Sequence, residues 1–359
     1  MRRALVLALA PLALTWLALA GPVGAHSQMP PEGPGAHGPG AGGCGGGRGS
    51  ALAYQWPVAP FDEPHPVRGN FGDPRTLYWG PAAVASLGGS FTFHNGIDIS
   101  ASPGTPVYPV LSGRVLRTSY EVVVVRTGAR RFQYWHVHPL VAVGQHVVAH
   151  ETVLGRVFRE LDHVHLSEID GTTVVNPLEP GHLTPYRKHT RPVVRGIAVR
   201  SADGPQSASD VHGRIWLIAD AYDFPALVPP PPWGERPVAP ALIAWELRNA
   251  AGVPVVRHRV AVDFRRHLPR AMRFWRVYAA GSYQNRPVVG RTLERLPGRY
   301  LFDLVPAGLD VDRFRDGRYR LTVSAADVCG NRGSLTLTIT IRNTHPPRTP
   351  LADMHARRV

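Results

Sequence analysis

From Tyr54 onward the chain alternates apolar and polar positions in short runs set between Gly- and Pro-rich breaks, with no sustained helical periodicity. Thr105–Val110 and Gly113–Leu116 read as strands around a Ser112-Gly113 turn. Glu121–Arg126 is a β-branched run, and Arg131–Val137 alternates after a turn at Gly128, which predicts a hairpin. Val141–Val147 and Val153–Val157 continue the pattern. Beyond Arg191 a second series begins with Gly196–Val199 and Gly213–Asp220. Ala241–Leu247 and Val255–His258 flank a turn built on Asn249–Gly252, and Gly317–Ala325 and Ser334–Ile341 alternate strongly around Asp327–Asn331. A succession of short strands over this second stretch predicts an antiparallel β-sandwich. The expected class is therefore mainly β.

The ends of the chain read differently. Met1-Arg2-Arg3 precedes an apolar run from Ala4 to Ala20, and Val23-Gly24-Ala25 offers small residues of the kind cut by signal peptidase. Residues 1–25 are thus read as a signal peptide and the protein as exported, to the periplasm, cell envelope or exterior. The run is short for a membrane span and is broken by Pro11, so no stable membrane insertion is expected after cleavage; a retained anchor is the alternative. Residues 26–53 are dominated by Gly and Pro and read as a linker. Residues 54–189 form the first predicted domain, 190–345 the second, and 346–359 a disordered tail.

Composition narrows the chemistry. The 359 residues carry a net charge of +14, which favours polyanionic surroundings such as an acidic cell-wall polymer. No Lys/Arg run is interleaved with aromatics, and no nucleic acid is expected as a partner. Two cysteines, Cys44 and Cys329, make neither a disulfide framework nor a Cys-based metal clamp. A bridge between them would tie the Gly-rich arm to a distant part of the chain, and the sequence leaves that pairing open.

Seventeen histidines make single histidine motifs cheap: about one H-x-H arises by chance in such a chain. Geometry adds more. On a strand His163 and His165 project to one face while Val164 points to the core, and Tyr134 and His136 are expected to share a face likewise. Gly96 lets His94 and Asp98 meet at a loop-to-strand junction. Three N and O ligands with a fourth position left for water form the pattern of catalytic zinc. His138, His146 and His150 read as exposed loop or strand residues, and Glu168 as a surface or supporting group.

His94-x-x-x-Asp98, Tyr134-x-His136 and His163-x-His165, in that order, resemble the lysostaphin-type (LytM-like) zinc endopeptidases that cut bacterial peptidoglycan. The flanking Pro66–Gly72, Gly96–Ile99, Gly104–Tyr108, Gly113–Val115, Val143–Val147, Leu154-Gly155 and Asn176-Pro177 are similar to the family as well, so the likeness covers about residues 56–185. The resemblance implies the duplicated hybrid motif fold and one zinc ion per chain, held by His94, Asp98 and His165. It implies His136 and His163 as the catalytic pair, with His163 taking the proton of the attacking water and His136 hydrogen-bonding the developing oxyanion. The implied partner is peptidoglycan, cut in its stems or cross-links, and the alternative is a non-catalytic wall-binding or regulatory protein on the same fold. Departures fall at Ser167, where the family usually has Glu, at Asp162, where it usually has Pro, and in the shortened Arg159–Asp162 loop. The ending Asp316-Gly317-x-Tyr319 with Ala326-Asp327-x-x-Gly330-Asn331 resembles the last strand pair of bacterial immunoglobulin-like modules, so an immunoglobulin-like sandwich is expected for 190–345.

Overall fold

The computed structural model describes residue 44 and residues 53–76, 91–159, 161–234, 236–285 and 297–343. The predicted signal peptide, most of the predicted linker and the predicted tail lie outside the described residues.

The first half lays down thirteen short strands. They are β1 (Val67–Gly69), β2 (Pro74–Thr76), β3 (Phe91–Phe93), β4 (Ile97–Ser100), β5 (Pro106–Val107), β6 (Gly113–Ser119) and β7 (Val122–Thr127). Then follow β8 (Arg130–Trp135), β9 (Val137–Pro139), β10 (His146–Val147), β11 (Gly155–Val157), β12 (His163–Asp170) and β13 (Thr173–Val175). An antiparallel sheet runs in the order β1-β4-β12-β8-β7-β6-β10, with β13 also on β12. Smaller sheets join β5-β11-β9 and β2-β3.

Strand β12 is the axis of this half. Seven of its eight residues are buried, because it is paired on both edges and covered on both faces. Val164 and Leu166 fill the core face with Ile97, Ile99, Phe132 and Tyr134, all close to fully buried. Burying an aliphatic side chain of this size stabilises by about 1.5–3 kcal/mol, so the alternation along β12 fixes which face its histidines take.

The second half adds β14 (Val193–Ser201), β15 (Gly204–Gln206), β16 (Arg214–Tyr222), β17 (Leu242–Asn249), β18 (Pro254–Asp263), β19 (Leu301–Asp303), β20 (Leu309–Asp310), β21 (Gly317–Ala326) and β22 (Arg332–Ile341). These make two antiparallel sheets, β15-β14-β16-β19 with β20 on β16, and β18-β17-β21-β22. Among the described residues the only helical pieces are the turns Ala271–Arg273 and Phe274–Val277, and none is long and apolar enough to cross a membrane. The fold is thus mainly antiparallel β, as its alternation predicts.

Both halves belong to one compact unit, Ala41–Val359. Tyr278 donates from its hydroxyl to the Gly72 carbonyl at 2.8 Å, and the Asp73 carboxylate accepts from the Ala239 amide at 2.7 Å. Phe93 packs with Phe264, Phe274 and Tyr278. Gly72 adopts φ of 91°, and a Cβ there would strike the Phe264 ring. Further on, the buried Lys188 ammonium meets Asp223 at 2.8 Å and Asp327 at 3.4 Å. Cys44 and Cys329, left open above, are joined in a disulfide across 285 positions of sequence.

Candidate metal centre

His94 leaves β3 and Asp98 sits in β4, directly opposite His165 of β12. The connection passes through Gly96, where a Cβ would meet the Leu166 carbonyl oxygen at 2.3 Å and His165 Nε2 at 2.7 Å. Close approach to β12, rather than an unusual turn, is what requires glycine there.

Three atoms converge at this point. His94 Nε2 lies 2.8 Å from His165 Nδ1 and 3.1 Å from Asp98 Oδ1, and His165 Nδ1 lies 3.1 Å from the same oxygen. The protons are held elsewhere. His94 Nδ1–H donates to the Asn70 carbonyl at 2.8 Å, so Nε2 is a bare lone pair. His165 Nε2 reaches the Ser167 hydroxyl at 2.8 Å, which lets that nitrogen carry the ring proton and turns the Nδ1 lone pair inward. Burial, with the nearby Arg75 guanidinium, holds His94 down to about 3, so the ring stays neutral. Burial alone would raise Asp98, but His94, Arg75 and His163 overcome it and keep the carboxyl well below its usual range. Arg75 Nη2 donates to Asp98 Oδ2 at 2.5 Å, and its Nη1 is held by Gln284 Oε1 at 3.2 Å.

Three buried electron-pair donors facing one another cost free energy unless a cation lies among them. Two imidazole nitrogens and one carboxylate oxygen suit zinc, and a three-residue protein set leaves a coordination position for water. His94, Asp98 and His165 therefore fit the metal that the resemblance implies.

The other two predicted residues stand beside this triad. His163 precedes His165 on the same face of β12, and its ring centre is 4.5 Å from that of His136. Burial pushes the His163 imidazole well below its usual range and lowers His136 in the same sense. His136 follows β8 with φ of 64°, a left-handed conformation rare for a residue with a Cβ. That twist corrects one expectation. Tyr134 does not share a face with His136: it lies in the core, its hydroxyl accepting from the Val110 amide at 2.9 Å. Without the reversal at His136 the strand parity would send its ring there too. Such strain in a non-glycine residue collects at functional sites.

Glu168 is a second correction. It is fully buried on the opposite face of β12 and accepts from Tyr54, His182 and Arg130. His138 and His146 are exposed as expected, and His150 is half-buried against Phe61.

All five predicted residues line one groove of about 880 Å³. Its opposite wall comes from the second half of the chain, through Trp233, Arg270, Gln284 and Asn285. Sequence reasoning missed Arg68, Arg75, Glu121 and this wall. The arginines lie in or near the lead-in stretch, but one sequence gives no sign of what they touch.

An acceptor triad on the groove floor, with two further histidines beside it, is a donor set able to hold a metal ion. Residues 92–177 match the model of Peptidase family M23. The chain is similar in structure to Csd3 of Helicobacter pylori, at 20% identity over 39% of this chain and 37% of that one, with a TM-score of 0.28. It is similar to a zinc-containing peptidase of Vibrio cholerae, at 22% identity over 35% and 40% of the two chains, with a TM-score of 0.28. The catalytic domain of the prophage-encoded M23 protein EnpA of Enterococcus faecalis, solved as a point mutant, is 23% identical over 35% of this chain and 95% of that one, with a TM-score of 0.25. The chain spans about two fifths of the length of the first two. No curated protein matches it.

Proposed function

We propose that the chain is an exported zinc endopeptidase that hydrolyses peptide bonds in the stems or cross-links of bacterial peptidoglycan. The observation that carries this reading is the set of three inward-facing lone pairs on His94, His165 and Asp98, beside His136 and His163. When bound, zinc lowers the pKa of a ligated water from 15.7 to about 7. The chain's own residues supply the rest. His94 and His165 are oriented by Asn70 and Ser167, and Arg75 steadies the carboxylate of Asp98. His136 and His163 handle protons and hydrogen-bond the oxygen that gains charge, help worth about 10²–10⁴-fold. The groove is long enough in volume for a peptide segment, and the net charge of +14 suits an acidic wall polymer. Export is supported by the basic, apolar N-terminal run and by the Cys44–Cys329 disulfide, which persists in oxidising compartments.

Incubation of the full-length protein with purified sacculi, with and without a chelator, followed by mass analysis of soluble fragments, tests the reading. Chelator-sensitive release of peptide fragments is expected, with none from His163→Ala. A wild type that holds zinc and releases nothing from any wall tested favours the non-catalytic alternative.

A further inference from the structure

Asp162 immediately precedes His163 and takes two partners from distant parts of the chain. Its Oδ1 accepts from the Arg68 guanidinium, and its Oδ2 accepts from the indole Nε1–H of Trp233 at 3.0 Å. The Arg68 guanidinium carbon lies 3.9 Å from the centre of the Trp233 ring, so the indole touches both members of the ion pair. Trp233 follows the run Pro229–Pro232 and lies outside the stretch matched by the M23 model.

The clamp reaches the catalytic pair. Arg68 Nη2 lies 2.6 Å from His163 Nδ1. A guanidinium offers only N–H groups and keeps its charge in proteins, so Nδ1 must accept and the proton of the neutral ring sits on Nε2. Nε2 is the nitrogen turned toward the metal triad, 3.7 Å from Asp98 Oδ1. His136 is held the opposite way. Its Nδ1 faces Glu121 Oε2 at 3.4 Å, and an ionised carboxylate only accepts, so Nδ1 carries the proton and Nε2 is a lone pair.

We propose that Trp233, acting through Asp162 and Arg68, is a positioning residue that fixes His163 as the hydrogen-bond donor of the centre and leaves His136 as its proton acceptor. The inference rests on the peptidase reading above and reverses the division of labour expected from the sequence. His163 Nε2–H donates to the substrate carbonyl oxygen as charge builds there. His136 Nε2 takes a proton from the attacking water as the water oxygen bonds to the carbonyl carbon. That proton passes to the leaving nitrogen as the C–N bond breaks, giving a carboxylic acid and an amine from amide and water. The second half of the chain thus completes the centre in cis, by setting a tautomer rather than by binding metal.

The test uses full-length, metal-free protein with ¹⁵N-labelled histidine, in which nitrogen–proton correlation spectra read the His163 tautomer directly. The wild type is expected to carry its proton on Nε2, and Trp233→Ala and Arg68→Gln to show a mixture. In the zinc-loaded protein, acting on soluble peptidoglycan fragments, both variants should lose about 10–100-fold in kcat with KM and zinc content unchanged, as for other partners that orient a reacting group. Trp233→Phe keeps a ring over Arg68 but lacks the indole N–H, and should fall between wild type and Trp233→Ala even if the latter folds poorly. A wild-type His163 protonated on Nδ1, or a Trp233→Phe that matches wild type in both tautomer and kcat, overturns the proposal. If the wild type cuts nothing, the peptidase reading falls while the spectra still decide the clamp.

Discussion

Strand β12 carries a histidine–carboxylate cluster on each face, and the two are opposite in proton count. On the groove face, His94 Nε2, His165 Nδ1 and Asp98 Oδ1 lie 2.8–3.1 Å apart with their donors turned outward to Asn70 and Ser167. On the other face Glu168 Oε2 accepts from the Tyr54 hydroxyl at 2.6 Å and from His182 Nδ1–H at 2.8 Å, while Oε1 accepts from Arg130 at 3.1 Å. Burial and the Glu168 charge push the Tyr54 phenol well above its usual range, so it remains a donor. One cluster is short of positive charge at its centre; the other is closed. Nearness of histidine to carboxylate does not make a metal site. The direction of the N–H groups does.

This contrast can be broken from either side. The largest effect is expected from His94→Ala or His165→Ala, which remove a donor from the triad. Zinc affinity should fall by more than the ~10–100-fold typical of losing a supporting partner, read by competition with a chromogenic chelator. Glu168→Ala attacks the closed cluster, stranding three donors in the core. It should lower stability by about 3–5 kcal/mol in denaturant unfolding, the usual cost of orphaning a buried ionic partner, yet leave zinc content unchanged. Loss of zinc in Glu168→Ala protein that is still folded would erase the distinction between the faces.

Smaller changes sharpen the comparison. Arg75→Gln removes the N–H that steadies Asp98 Oδ2, and should weaken zinc binding by about 10–100-fold with little change in stability. Ser167→Ala removes only the hydroxyl beside His165 Nε2. Its expected cost is about 1 kcal/mol in zinc affinity, the worth of one hydrogen bond, measured by the same competition.

Much of this was legible in the sequence because strands encode faces. The alternation in His163–His165 placed both histidines on one side and Val164 in the core, where it is found with Leu166. His94 and Asp98 were singled out by the family resemblance rather than by strand faces, and Gly96 between them serves the close approach to β12. His136 was found by its order in the chain rather than its parity; the left-handed backbone that swings it into the groove leaves no sign in Tyr134-Trp135-His136. Glu168 was misread because a buried carboxylate is identified by its donors, and Tyr54 and His182 lie 114 and 14 positions away. Trp233 was hidden more deeply. It follows the proline run Pro229–Pro232, and only the packing of the two halves brings it to Asp162, 71 positions distant. Local chemistry shows in one sequence; a wall built by a remote segment does not.

The central claim is that the acceptor triad on the groove face, and not the closed cluster behind it, holds the metal. Elemental analysis of full-length wild type, His94→Ala and Glu168→Ala proteins, each reconstituted with zinc and then dialysed, tests it most directly. The account predicts one equivalent of zinc in the wild type and in folded Glu168→Ala, and none in His94→Ala. Zinc retained by His94→Ala, or absent from the reconstituted wild type, would contradict it.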